Sequence, residues 1–96
     1  MAKYRLSPAA EKDLESIWRY TQQHWGIEQA ELYFDTLISA FQTLAQTPNT
    51  APACDHIRLG YRRQVIEKHV IYFRVTADGI AVIRILHARM DAPQYL

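Results

Sequence analysis

The sequence predicts an α+β fold: an N-terminal strand, then an antiparallel helical hairpin packed on one face of a C-terminal antiparallel β-meander. Three observations carry this. Apolar residues recur at three- and four-residue steps from about residue 10 to residue 45, and after Arg62 they crowd into β-branched and aromatic runs. Between these regimes lies an aperiodic segment, residues 47–56, punctuated by Pro48 and Pro52.

Lys3-Tyr4-Arg5-Leu6 alternates polar and apolar, as a short half-buried strand does. Ser7-Pro8 reads as an N-cap followed by proline at the first helical position, with Glu11 and Asp13 near the positive end of the helix dipole. Ala10, Leu14, Ile17, Trp18, Thr21 and Trp25 then form one stripe, and Gly26 ends the helix. A second helix is expected from about Glu28 to Ala45, with Ala30, Tyr33, Phe34, Leu37, Ile38, Phe41 and Leu44 on its inner side. The few residues around Gly26-Ile27 force the two helices antiparallel. Arg63–Ile66, Val70–Val75 and Ile80–Leu86 are the expected strands of the meander, the last two joined by an Ala77-Asp78-Gly79 turn.

The 96 residues suit one domain, 1–96, with a modest core. Half the residues are apolar and 22% are charged, a globular composition and not a disordered one. The single cysteine, Cys54, has no partner for a disulfide, and the N-terminus lacks the apolar core of a secretory signal, so a cytoplasmic location is expected. No apolar run approaches a membrane span. The net charge of +1 conceals a polarity: residues 1–54 hold four basic and six acidic side chains, and residues 55–96 hold seven basic and four acidic. That favours an acidic partner, protein or nucleic acid, on the C-terminal half. Eight of the eleven basic residues are arginine, the residue suited to bidentate grips on carboxylate or phosphate.

Strict alternation along the last two strands places Ile71, Phe73 and Val75 on one face with Ile80, Val82, Arg84 and Leu86. It places Val70, Tyr72 and Arg74 on the other with Ala81, Ile83, Ile85, His87 and, if the strand continues, Arg89. One hairpin covers one side of such a sheet, so the second, half apolar and half basic, is expected to bind a partner. The blander account is that the chain's own Ala92–Leu96 covers it.

Arg84-Ile-Leu-His-Ala-Arg-Met-Asp91 concentrates the candidate chemistry. His87 and Arg89, with Arg62 or Arg74, would make a cationic pocket able to hold a phosphate and move a proton near neutral pH. Against this, a lone strand-end histidine is usually a hydrogen-bonded structural group, and Arg84 is more simply a packed stem whose head pairs with a helix carboxylate. The aromatics Trp18, Trp25, Tyr33, Phe34 and Phe41 read as core or interhelical packing. Cys54 and His56 do not amount to a zinc site, and glycine at 26, 60 and 79 alone leaves no phosphate-cradling loop, so no cofactor or metal is expected.

The opening Tyr-Arg-Leu-Ser-Pro-Ala-Ala-Glu-Lys-Asp-Leu with Ile17-Trp18, the run Val-Ile-Tyr-Phe-Arg-Val, and the closing His-x-Arg-x-Asp together resemble the ParE branch of the RelE/ParE toxin superfamily. The resemblance covers essentially the whole chain. It implies a RelE/ParE-like fold and a type II toxin that inhibits DNA gyrase by binding, traps it on cleaved DNA and blocks replication. It also implies neutralisation by a ParD-like antitoxin in a hetero-oligomer that reaches operator DNA through the antitoxin alone. Arg62, Val70, Tyr72, Arg74, Ile83, Ile85, His87 and Arg89 are the expected partner-binding residues. The alternative is a RelE-like, ribosome-dependent mRNA endoribonuclease, in which Arg62, Arg74, His87, Arg89 and Tyr95 would be cast as catalytic. The absence of a lysine-rich stretch, and of an acid on the open strand pair, weakens that reading. A third possibility is a non-toxic adaptor whose basic face only holds the antitoxin's acidic tail.

Overall fold

The computed structural model describes residues 2–96. Strand β1 (Lys3–Leu6) leads into helices α1 (Pro8–Trp25) and α2 (Ile27–Gln46). A single 3-10 turn over Pro48–Thr50 follows, then strands β2 (Tyr61–Ile66), β3 (His69–Thr76) and β4 (Gly79–His87), and a short helix α3 (Ala92–Tyr95). Every element expected between residues 3 and 87 is present within a few residues of its predicted bounds.

The four strands form one sheet in the order β1-β4-β3-β2. Strands β2, β3 and β4 are the antiparallel meander, and β1 returns to its open edge, parallel to β4, with Tyr4 opposite Ile80 and Leu6 opposite Val82. Gly79 permits that close approach, because a Cβ there would overlap the Lys3 backbone carbonyl oxygen.

Ser7 fixes the exit from β1. Its Oγ accepts the Ala10 N–H at 3.0 Å as an N-cap and donates to the Ile83 carbonyl at 2.6 Å, while its own N–H reaches the Val82 carbonyl at 2.9 Å. The residue that starts α1 thus also ends the β1–β4 pairing.

Two apolar clusters lie on opposite sides of the sheet. Under the hairpin, Ala10, Leu14, Leu37, Phe41 and Leu44 meet Ile71, Phe73, Ile80, Val82 and Ile85, with Tyr4 tilted against Phe41 at 5.3 Å. On the other side Cys54, Val70, Tyr72, Leu86 and Ala92 pack together, flanked by Ile57, Tyr61 and Leu96. The tail therefore does cover part of the second face. Trp25 departs from its expected packing role: at the hairpin apex beside Gly26 it is 66% exposed, because the last turn of α1 overruns the sheet's cover. Among the described residues no helix is long and apolar enough to cross a membrane.

Candidate functional site

The alternation expected along β4 fails at one residue. Phe73 pairs with Val82, but Tyr72 pairs with Arg84, so Ile83 has no partner of its own and β4 carries a bulge. From there the parity of β4 inverts. Ile85 and His87 lie on the hairpin side, opposite Ile71 and His69, while Arg84 and Leu86 lie on the far side, opposite Tyr72 and Val70. Two expectations are thereby corrected: Arg84 and Leu86 do not share a face with Phe73, and Ile85 and His87 do not share one with Tyr72 and Arg74.

The cause lies in the other layer. Strand β1 has ended, so the outer edge of β4 is free of a strand neighbour from Ile83 onward, and α1 supplies the missing acceptor. The Ile85 N–H donates to Asp13 Oδ2 at 2.9 Å, and Arg84 grips the same carboxylate through Nε at 2.7 Å and Nη2 at 2.8 Å. Arg84 also donates to the Tyr95 carbonyl at 3.3 Å and lies over the Tyr95 ring at 5.5 Å, tying α1 to the tail. The Asp13 hydrogen bond, outweighing the opposing effect of burial, holds the Arg84 guanidinium even more firmly protonated. The expected pairing of Arg84 with a helix carboxylate is therefore present, reached from the opposite face.

The residues singled out by sequence scatter over the molecule. Val70 and Tyr72 are buried beneath Cys54 and Ala92, and Ile85 is buried under the hairpin. Arg62 faces the hairpin side opposite Phe73 and donates to the Ala51 carbonyl at 2.6 Å, tying down the proline segment. Arg74 belongs to the far face, exposed and paired with Ala81, and Ile83 is the half-buried, unpaired residue of the bulge. Arg89 stands beyond β4 in the exposed turn, its N–H donating to His87 Nδ1 at 3.1 Å. His87 and Arg74 are separated along β4 by six residues of register, about 20 Å, so they form no common pocket.

At the strand exit, His87 instead meets His69 edge-to-face, with ring centroids 5.5 Å apart. His69 Nδ1 shares a 2.6 Å hydrogen bond with the Tyr33 hydroxyl, which also reaches the Ile66 carbonyl at 3.2 Å. Burial, reinforced by the charge of His87, pushes the His69 imidazole down to about 4, and burial with the Glu67 charge pushes the Tyr33 phenol up to about 12. Both groups are neutral over the physiological range and act as a structural latch between α2 and the sheet.

Two surfaces remain open. One is the half of the far face that neither the tail nor the Cys54 segment covers. There Arg5, Ala81 and Arg74 stand in one row on β1, β4 and β3, continued on β2 by Tyr61 at the border of the Cys54 cluster, with Lys3 one step beyond on β1 and Arg63 one step back on β2. The other is a groove of about 410 Å³ on the helical side, where Leu6, Leu14, Trp18 and Phe34 form the floor and Glu11, Glu15, Arg19 and Gln22 the rim. Sequence reasoning missed both. The row draws Arg5 from the far end of the chain, and the groove is lined by aromatics assigned to packing. Among the described residues no group of three or more histidine, cysteine or carboxylate side chains is placed to hold a metal ion.

Comparison with known proteins gives one consistent answer. The family model described as "ParE toxin of type II toxin-antitoxin system, parDE" matches residues 4–92. The chain is 45% identical to Toxin ParE1 of Mycobacterium tuberculosis, over 99% of this chain and 98% of that one. It is 38% identical to Toxin ParE1 of Caulobacter vibrioides, over 100% and 99%, and 33% identical to Toxin ParE of Escherichia coli, over 95% and 89%. Among solved structures, a chain of the chromosomal ParDE toxin–antitoxin system of P. aeruginosa superposes with a TM-score of 0.77 at 22% identity, covering 91% of this chain and 96% of that one. A chain of the YoeB-YefM complex of Staphylococcus aureus superposes with a TM-score of 0.60 at 13% identity, covering 91% and 97%. At these identities the two structures establish the shared RelE/ParE-like fold alone.

Proposed function

The chain belongs to the ParE toxin family of type II toxin–antitoxin systems, and from that premise we propose that it inhibits DNA gyrase by binding, without covalent chemistry of its own. The observation that carries this reading is the match to ParE toxins along nearly the whole chain, at up to 45% identity among the relatives compared. The distribution of side chains supports binding over phosphodiester cleavage. The open cationic row contains arginine, alanine and tyrosine, and the two histidines at the strand exit lie on the other side of the sheet.

The reading places the toxin in the cytoplasm as one domain, held inactive by a ParD-like antitoxin in a hetero-oligomer that contacts operator DNA through the antitoxin. The groove floored by Leu6, Leu14, Trp18 and Phe34 suits the apolar stripe of an amphipathic antitoxin helix. Of the residues first assigned to partner binding, Arg74 and Arg89 have exposed side chains that would touch a target directly. Val70, Tyr72 and Ile85 would support the surface from beneath, and Arg62, Ile83 and His87 would shape its borders.

Induced expression in a sensitive bacterium tests the reading. Gyrase inhibition gives a DNA-damage response and filamentation while translation continues. Immediate arrest of translation with cleaved mRNA would overturn it in favour of the endoribonuclease, and absence of any toxicity would leave the adaptor.

A further inference from the structure

The charges of this chain are sorted by layer. The helical segment, residues 8–46, carries two basic and six acidic side chains, and the strands and loops carry nine basic and four acidic. A molecule of net charge +1 thus presents a layer of −4 on one side and a layer of +5 on the other. The excess is concentrated where the sheet is bare. Arg5 and Arg74 flank Ala81 on β1, β4 and β3, about 10 Å apart across two strand spacings, and Arg63 lies diagonal to Arg74 on β2, about 7–8 Å away. Ala81 is too small to fill the space between the two arginines. Among the described residues the single salt bridge is that of Arg84, and none of these three guanidinium groups donates to a carboxylate. Of the acids that border this half of the sheet, Asp78 in the β3–β4 turn accepts from Thr76 Oγ1 at 3.3 Å, and Asp55 accepts the Gly60 N–H at 2.8 Å.

We propose that this row is a nucleic-acid backbone site: Arg5, Arg74 and Arg63 each hold a phosphodiester group of duplex DNA laid across the bare half of the sheet. The occupant follows from what the surface lacks as much as from what it has. A protein partner needs an apolar, aromatic-rich centre, and of the apolar residues of this face Val70, Tyr72 and Leu86 are already covered by the Cys54 segment and Ala92, while the exposed Val65 stands opposite Val70, four residues along β2 from the row's Tyr61. What remains is a set of planar guanidinium forks on long stems suited to bidentate contact with phosphate oxygens, with no side chain long enough at the centre to read bases. The contact is therefore sequence-independent. The site rests on the gyrase reading for its context, since gyrase presents the toxin with DNA, and it has a readout that needs no gyrase.

The test is anisotropy of a fluorescein-labelled 20-base-pair duplex titrated with the purified chain between 50 and 200 mM NaCl. Three phosphate contacts give a slope of log K against log [salt] of about −2.7, so binding weakens about 40-fold from 50 to 200 mM. Arg5→Glu and Arg74→Glu, both at exposed positions, should each remove about one unit of slope, whereas Lys12→Glu and Arg19→Glu on the helical layer should leave it unchanged. Absence of duplex binding at 50 mM would overturn the proposal, as would equal loss from the helical variants. Binding of a poly-glutamate peptide more tightly than the duplex would overturn it in favour of a protein occupant, and preference for an RNA duplex would overturn the assignment to DNA. A supercoiling assay run in parallel separates the two readings. Gyrase inhibition by the unsubstituted chain without any duplex binding removes this site alone, and duplex binding without any gyrase effect removes the gyrase reading alone.

Discussion

Replacing Asp13 by alanine should be among the most damaging polar substitutions in the chain, because one carboxylate serves three donors from β4. Its Oδ2 accepts from Arg84 Nε and the Ile85 N–H, and its Oδ1 accepts from Arg84 Nη2. Loss of a backbone bond to a charged acceptor costs about 1.5–3 kcal/mol. Breaking a fully buried ion pair costs about 3–5 kcal/mol, and an exposed one about 0–1 kcal/mol. The side chains of Arg84 and Asp13 are 21% and 14% exposed, which places this pair between those limits. The expected total is about 2–3 kcal/mol, which for a domain of this size lowers Tm by roughly 10–20 °C. Urea unfolding followed by circular dichroism measures it directly. Asp13→Asn, which keeps an acceptor for Ile85 but loses the charge, should fall near half that value. Combined with Arg84→Met, Asp13→Ala should show a coupling of about 1 kcal/mol or more, since the two residues share one interaction. A loss below about 0.5 kcal/mol for Asp13→Ala would refute the idea that α1 holds the bulged edge of β4.

Gly79→Ala should destabilise by about 3 kcal/mol or more in the same assay, because the added methyl collides with backbone rather than with a movable side chain. Acidification should weaken the fold between about pH 6.5 and 4. His69 is held at about 4 when folded, so the unfolded chain takes up the proton first, and stability is lost as pH falls through that window and not further below it. For this half-buried imidazole the loss is about 1–2 kcal/mol after allowance for solvent screening, and His69→Gln should flatten that part of the pH–stability curve. Cys54 has no exposed surface, and burial foremost pushes its thiol up, against the lowering effect of Arg63. A thiol reagent should therefore label it only in denaturant, and deletion of residues 92–96 should make it reactive in the native chain by removing the Ala92 and Leu96 cover.

The order and type of the elements were legible because their signals are local. Ser7 and Pro8 start α1, Gly26 stops it, two helical stripes share a short connection, and Asp78-Gly79 turns between β-branched runs. Each is a property of a few neighbouring residues, and the same residues carry the family resemblance that the comparisons established. Alternation also sorted β3 correctly and β4 as far as Val82, since a period of two holds wherever the ladder is regular.

Tertiary structure decided the rest. The bulge at Ile83 depends on Ser7 and Asp13, more than seventy residues away in sequence, taking over the edge that β1 abandons. No pattern within β4 announces it, yet one unpaired residue moves His87 from the presumed basic face to a latch with His69 and Tyr33. Nearly as long a stretch of sequence separates Arg5 from Arg74, which become row-mates only because β1 inserts beside β4. Local signals along the chain suffice to make it a toxin-like α+β unit with a basic C-terminal half. Which cations stand together was set by strand order and register, because side chains on different strands become neighbours through long-range pairing and not through spacing along the chain.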